Sequence, residues 1–290
     1  VVIDAAYAHC VRLARQHYEN FPVASRLLPR AMRPHIAAVY AFARIADDFA
    51  DEGARSDAAR HALLDDWARR LEVAARGETE DDGSDMAAIF MAIGDTIDRC
   101  RLDVDLLRSL LSAFRQDVTI KRYETWDALL DYCRRSANPV GRLVLQIAGY
   151  RDASIAAPSD ACCTALQLTN FWQDLERDWA KGRLYVPLAA VREAGADERD
   201  LDRRQITPEW RRALVGVVAR TRSLFDAGRP VADAVAGRLG WELRATWLGG
   251  VRVLDRLEAG GFDVFRRRPA IDGADALPLA WRLVTWRRRP

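Results

Sequence analysis

Residues 161–187 read ACCTALQLTNFWQDLERDWAKGRLYVP, and they place acids where a buried helix ordinarily has none. From Ala161 to Trp172 the stretch is apolar nearly all round, which in a soluble chain predicts a helix buried on most faces rather than one with a wet side. Asn170, Asp174 and Asp178 then follow at steps of four, so they share a face with a rise of about 6 Å per step. Carboxylates at that spacing weaken a helix by roughly a few tenths of a kcal/mol, and burying them unpaired costs several kcal/mol more. A cation should therefore sit beside them, and removal of one acid should leave the fold no less stable. Carboxylates with an amide make a hard oxygen set that suits Mg2+, which usually shares its shell with water and substrate phosphates. A lone DxxxD step reads equally as a solvated acidic face.

A second copy shifts that balance. Arg44–Glu52 reads RIADDFADE and continues the run HIAAVYAFARIA, again apolar on nearly every side. Asp47 and Asp51 share a helix face, and Asp48 and Asp51, three apart, are also neighbours. Two acid ladders on two buried helices are what antiparallel helices facing each other across a cavity would need, with metal ions between them to hold a diphosphate.

The remaining chain is consistent with helices throughout. Ser56, Asp103, Thr125, Ser159 and Thr207 precede helical apolar spacing and read as N-caps. Helix one should end at Asn20-Phe21-Pro22, GETEDDGSD (77–85) reads as a loop, and Arg229-Pro230 reads as the opening of a further helix that reaches about Ala259. Pro139 lies inside the long helical pattern after Thr125, where it predicts either a kink or a break that frees backbone carbonyls near Asn138. No sustained period-two pattern with hairpin turns occurs, so the expected class is all-α. No repeat or low-complexity linker divides the chain, and both ladders are needed for one site, so residues 1–290 are expected to form a single domain.

Composition narrows the function. The net charge of only +2 argues against a nucleic-acid partner. Five cysteines without a CxxC read as reduced thiols, and four histidines without paired metal spacing argue against zinc. No apolar run approaches the length that spans a bilayer, and VVIDAAYAHC has no basic region followed by an apolar core. The expected location is the cytoplasm. The end of the chain, ALPLAWRLVTWRRRP, sets Leu277, Trp281 and Val284 near one face with Arg282 and Arg287–Arg289 around it. Such a segment reads either as a helix lying peripherally on the inner membrane surface or as a frayed, solvated tail. Nothing in the sequence specifies an oligomeric state.

The pair RIADDFADE and LTNFWQDLERDWAKGRLYVP resembles the two aspartate-rich regions of the squalene and phytoene synthase family, enzymes that join two isoprenoid diphosphates. YAFARIADD, YETWDALLDYC and VLDRLEAGGFDVFRRR also look like family blocks, so the likeness covers nearly the whole chain. FWQD followed by DWAKGRLYVP, together with YCRRSANPVG, most resembles the bacterial hydroxysqualene-forming branch of hopanoid biosynthesis. That branch works on presqualene diphosphate and captures water; the eukaryotic squalene-forming branch instead reduces with NADPH. The resemblance implies an isoprenoid-synthase-type helical bundle around a central cavity. It implies that Asp47, Asp51, Asn170, Asp174 and Asp178 hold Mg2+ with Asp48 close by, and that Arg44, Lys181 and Arg183 hold the diphosphate. Gln167, one turn before Asn170, would face the same cavity, and Tyr40, Tyr132 and Tyr185 match aromatic positions lining it. Asn138, at the proline position, is a candidate to place a water.

Two departures from the family pattern bear on the substrate. A Ser-Lys-Ser-Phe-like stretch is replaced by ENFPVAS (19–25), and the Arg that many members carry before the third acid is Gln173. Both losses remove contacts expected for a second diphosphate and favour a substrate with only one. The expected chemistry is thus Mg-dependent, without NADPH, on an isoprenoid diphosphate. The alternatives are a condensing synthase of the same fold that makes presqualene diphosphate, dehydrosqualene or phytoene, and a non-catalytic assembly or lipid-binding member.

Overall fold

The computed structural model describes residues 2–16, 27–78 and 82–287. Its helices are α1 (Val2–Gln16), α2 (Arg33–Asp51), α3 (Asp57–Ala75), α4 (Asp85–Cys100), α5 (Val104–Thr119), α6 (Trp126–Ser136), α7 (Asn138–Ile147), α8 (Ala156–Gln173), α9 (Leu175–Ala180), α10 (Leu188–Glu193), α11 (Glu198–Asp202), α12 (Pro208–Ala234), α13 (Gly237–Ala259) and α14 (Gly273–Val284). Among the described residues the only strand-like pairing is an isolated bridge between Arg122 and Leu184, so the protein is all-α. The chain gathers into two compact units, one of residues 1–119 and 139–152, the other of residues 120–138 and 153–290.

In the first unit α2 is the central helix. Ile36 to Val39, Ala41, Phe42, Ala46 and Ala50 are all buried, as the run HIAAVYAFARIA requires. Trp67 of α3 stacks on Phe42 at 5.9 Å and meets Phe90 of α4 at 4.5 Å. Its indole N–H donates to the Phe42 carbonyl at 3.2 Å, which satisfies the one polar atom that its burial would otherwise strand.

The second unit is built on α8 against α12. The indole N–H of fully buried Trp172 donates to Thr221 Oγ1 at 2.9 Å. Gly228 lies so close to α8 that a Cβ there would stand 2.5 Å from the Cys162 backbone nitrogen. The small residue thus sets the approach of the two helices. Phe225, Trp210 and Trp247 fill the rest of this core.

Ser56, Thr125 and Thr207 cap as expected, accepting from the amides of Ala59, Ala128 and Trp210, each cap being worth about 1 kcal/mol. Asp103 Oδ1 likewise accepts from the Asp105 amide at 3.0 Å. Two boundaries, at Ser159 and Pro230, differ from expectation, and the structure decides a third, at Pro139. Ser159 is buried inside α8, which starts behind a 3-10 turn at Ala153–Ile155; that turn supplies the first hydrogen-bonded loop without a capping side chain. Pro139 breaks the helix rather than kinking it. It becomes the second residue of α7, where the missing N–H has no helical acceptor to lose. Pro230 lies within α12, not at a start, because packing of Val231 and Ala232 in the core carries the helix past it. The break falls instead at Val235, in extended conformation, and α13 opens at Gly237 with φ 64°.

The expected end of helix one at Asn20–Pro22 and the ENFPVAS stretch lie outside the described residues. The C-terminal segment is not frayed over its described length. Asp272 and Asp275 form a reciprocal capping box at the start of α14, and Trp286 donates from its indole to Asp233 Oδ1 at 2.7 Å while Arg229 stacks on its ring at 3.9 Å. No helix among the described residues is long and apolar enough to cross a membrane.

Candidate active site

The first ladder occupies the last two turns of α2. Asp47, Asp48 and Asp51 are half-buried at the helix end whose exposed carbonyls already carry partial negative charge. Arg44, one turn earlier, offsets this with Nη2 at 2.7 Å from Asp48 Oδ1, Nη1 at 3.9 Å from Asp47 Oδ2, and Nη2 at 3.5 Å from Glu52. Arg60 of α3 donates to the carbonyls of Phe49, Glu52 and Gly53, closing the helix end. Tyr40 is half-buried one turn before Arg44. These residues all belong to the first unit.

The second ladder, in the second unit, is built at the junction of α8 and α9. Asp174 leaves helical geometry with φ −102° and ψ 14°, yet its amide donates to the Asn170 carbonyl and its carbonyl accepts from Asp178, both at 2.9 Å. The three residues therefore keep their common face across the break. Asn170 Nδ2 donates to Asp174 Oδ2 at 2.8 Å. A guanidinium stands beside these acids, that of Arg268, whose Nε and Nη2 donate to Asp174 Oδ1 and Oδ2 at 2.5 and 2.9 Å. Gln173 donates to the carbonyl of Pro269. Residues 173 and 174 together thus hold the segment 268–269. Spacing along a helix cannot reveal Arg268, since 94 residues separate it from Asp174. Gln167, one turn before Asn170, is half-buried.

After α9 the chain reverses at Gly182, with φ 74°, a conformation that costs Gly little. Arg122 Nη1 donates to the Gly182 carbonyl at 2.6 Å, and the Leu184 amide donates to Lys121 at 2.9 Å. Lys181 remains exposed, whereas Arg183 is only 9% exposed. The same pinning brings Tyr185 parallel to Phe171 at 3.7 Å, with Tyr123 at 5.7 Å and Tyr132 at 6.2 Å. All four rings are buried and form one aromatic platform. Tyr132 and Tyr185 were expected; Phe171 and Tyr123 were not, although Phe171 directly follows ladder residue Asn170 in the sequence.

Asn138, 6% exposed, sits at the break before α7 and accepts a 2.8 Å hydrogen bond at Oδ1 from Thr164 Oγ1 of α8. Thr164 thereby anchors the amide, whose N–H2 end is a donor.

The donor chemistry of both ladders, carboxylate and amide oxygen, suits a hard cation such as Mg2+. Among the described residues no group of three or more His, Cys, Asp and Glu is gathered for a metal ion. Asp48 and Asp174 are engaged by guanidinium groups in this arrangement.

The squalene/phytoene synthase family model matches residues 14–275. The hydroxysqualene synthase of Zymomonas mobilis is 38% identical over 230 residues, 78% of this chain and 74% of that protein. The 15-cis-phytoene synthase of Synechococcus elongatus is 30% identical over 278 residues, 92% of this chain and 88% of that protein. The crystal structure of squalene synthase HpnC from Alicyclobacillus acidocaldarius matches with a TM-score of 0.82 at 42% identity, over 90% of this chain and 95% of that one. With both acid ladders present and likeness of sequence and fold extending over most of its length, the chain belongs to the squalene/phytoene synthase family.

Proposed function

We propose that the protein converts presqualene diphosphate and water to hydroxysqualene and diphosphate. The reading rests on the higher identity to a hydroxysqualene synthase, 38% against 30% for a phytoene synthase. In this reaction the C–O bond to the diphosphate breaks heterolytically and the bridging oxygen departs with it. The cyclopropylcarbinyl cation rearranges, water oxygen adds to the carbon skeleton, and one proton is released.

Arg44, Lys181 and Arg183 oppose the charge that develops on the leaving diphosphate, an effect strongest for preorganised groups out of bulk water. Asp47, Asp51, Asn170, Asp174 and Asp178, with Asp48 close by, would hold Mg2+, which when bound neutralises further charge on the departing oxygens. The platform of Tyr132, Tyr185, Phe171 and Tyr123 offers ring faces to a cation, each worth roughly 0.5–2 kcal/mol. Tyr40 and Gln167 complete the substrate surroundings. Asn138, oriented by Thr164, donates to the water oxygen and leaves its lone pair for the cation. Gln173, turned to Pro269, supplies no cationic contact to a second diphosphate.

A condensing activity is the second reading, favoured by the longer alignment with the phytoene synthase, 92% of this chain. Feeding presqualene diphosphate in 18O-labelled water separates the two. Label in the alcohol product, with rate and product indifferent to NADPH and farnesyl diphosphate left intact, supports the proposal. Rapid formation of a C30 product from farnesyl diphosphate alone, or squalene made only with NADPH, overturns it.

A further inference from the structure

α14 is built the wrong way round for a solvated helix. Its one acid, Asp275, is turned inward with no exposure and is met by Arg252 Nε at 2.6 Å and Arg256 Nε at 2.8 Å. Its outward residues are Gly273, Ala274, Ala276, Leu277, Pro278, Ala280, Trp281, Arg282 and Val284. Leu277, Trp281 and Val284 are 82%, 70% and 71% exposed. They recur at i, i+4 and i+7, on one face. The capping box at Asp272 and the clasp of Trp286 by Arg229 and Asp233 hold both ends of this segment, so the outward face is fixed and not a loose end that could turn inward.

We propose that this face of α14 docks onto a lipid bilayer carrying anionic headgroups. Charge favours that occupant. Every charge on the outward side of the helix is Arg282, followed by exposed Arg287, and the sequence continues with Arg288 and Arg289. Asp272, the exposed N-cap residue, is paired with Arg256 and Arg267. Apolar residues with a tryptophan on one side and arginines along the rim suit the boundary between acyl chains and anionic headgroups. The area disfavours a second copy of the chain. The three large side chains offer on the order of 400 Å2, against about 800 Å2 per partner in a stable protein interface, and a two-fold pairing would set arginines against arginines. The proposal stands apart from the chemistry at the ladders.

The test uses the full chain with vesicles of phosphatidylcholine, with and without about one third phosphatidylglycerol. The wild type is expected to float with the anionic vesicles at low salt, to bind the neutral ones at least fivefold more weakly, and to detach as salt rises. Brominated lipid should quench part of its tryptophan fluorescence, and Trp281→Phe should remove that part. The Leu277→Glu/Trp281→Glu variant should lose binding at least tenfold while keeping its circular dichroism, since both sites point outward. Arg282→Gln/Arg287→Gln should lose the preference for anionic lipid only. No flotation of the wild type, equal binding by the glutamate variant, or a wild-type dimer that the glutamate variant converts to monomer would each overturn the proposal.

Discussion

Asp174 is gripped by both nitrogens of Arg268, and this alters what its removal should do. The helix on its own would lose little with the acid, and the ladder spacing alone predicts an unchanged or raised stability. With Arg268 as partner, Asp174→Ala leaves a half-buried guanidinium without its carboxylate. We expect a loss of about 1–3 kcal/mol by urea unfolding, less than for a fully buried pair because Arg268 is 30% exposed. Asp47, 3.9 Å from Arg44, should cost no more than about 0.5 kcal/mol on substitution by Ala. Both variants should nonetheless lose turnover of presqualene diphosphate by at least a hundredfold. An active Asp47→Ala enzyme would remove that residue from the site.

At the scale of elements, α12 holds two glycines with opposite expectations. A Cβ at Gly228 would fall 2.5–2.8 Å from Cys162 of α8, whereas one at Gly216 meets nothing within 4 Å. Gly228→Ala should therefore destabilise by about 1–3 kcal/mol, and Gly216→Ala, exposed in mid-helix, should stabilise by about 0.5–1 kcal/mol. Equal effects in thermal denaturation would mean that the α8–α12 approach is not set by Gly228. The docking of α14 has its own signature in acid. Burial by itself would raise the Asp275 pKa, but hydrogen bonds from Arg252 and Arg256 outweigh it and hold the carboxyl at about 2, below its ordinary 3.8. A carboxyl depressed in the folded state contributes stability that is complete above its unfolded pKa and is lost as pH falls through the folded one. The α14 clasp should thus hold at pH 5 and open between about pH 4 and pH 2, read as loss of the Trp286 near-ultraviolet signal against a Trp286→Phe control. Asp275→Asn should flatten that acid transition.

For the whole molecule we propose that residues 1–290 act as one cooperative domain, because neither ladder alone supplies the full donor set that the family resemblance implies. Calorimetry should show one transition. Mg2+ with inorganic diphosphate at about 100 times its Kd should stabilise the native state by about 2.7 kcal/mol, a rise of several degrees in Tm. Two transitions, only one of them moved by the ligand, would show the units to be independent. An Asp174→Ala chain should lose most of the rise.

What the sequence determined by itself is whatever one or two helical turns can encode. The all-α class, the caps at Ser56, Thr125 and Thr207, and the two ladders at Asp47–Asp51 and Asn170–Asp178 follow from spacing along a single helix, where neighbours three and four apart must meet. Tyr132 and Tyr185 came from family likeness, yet their ring partners Phe171 and Tyr123 did not, because the platform forms only when the Gly182 turn is pinned by Arg122. Arg268 on Asp174 and Thr164 on Asn138 join residues far apart in the chain, a matter of packing rather than of periodicity. Pro139 and Pro230 show the same limit in the backbone. One stands at a helix break and the other is carried through a helix, and the local cost of a proline does not say which. The tertiary structure likewise decided the sense of α14: its pattern is amphipathic in either orientation, and the half-buried arginines that receive Asp275 are what turn Leu277 and Trp281 outward.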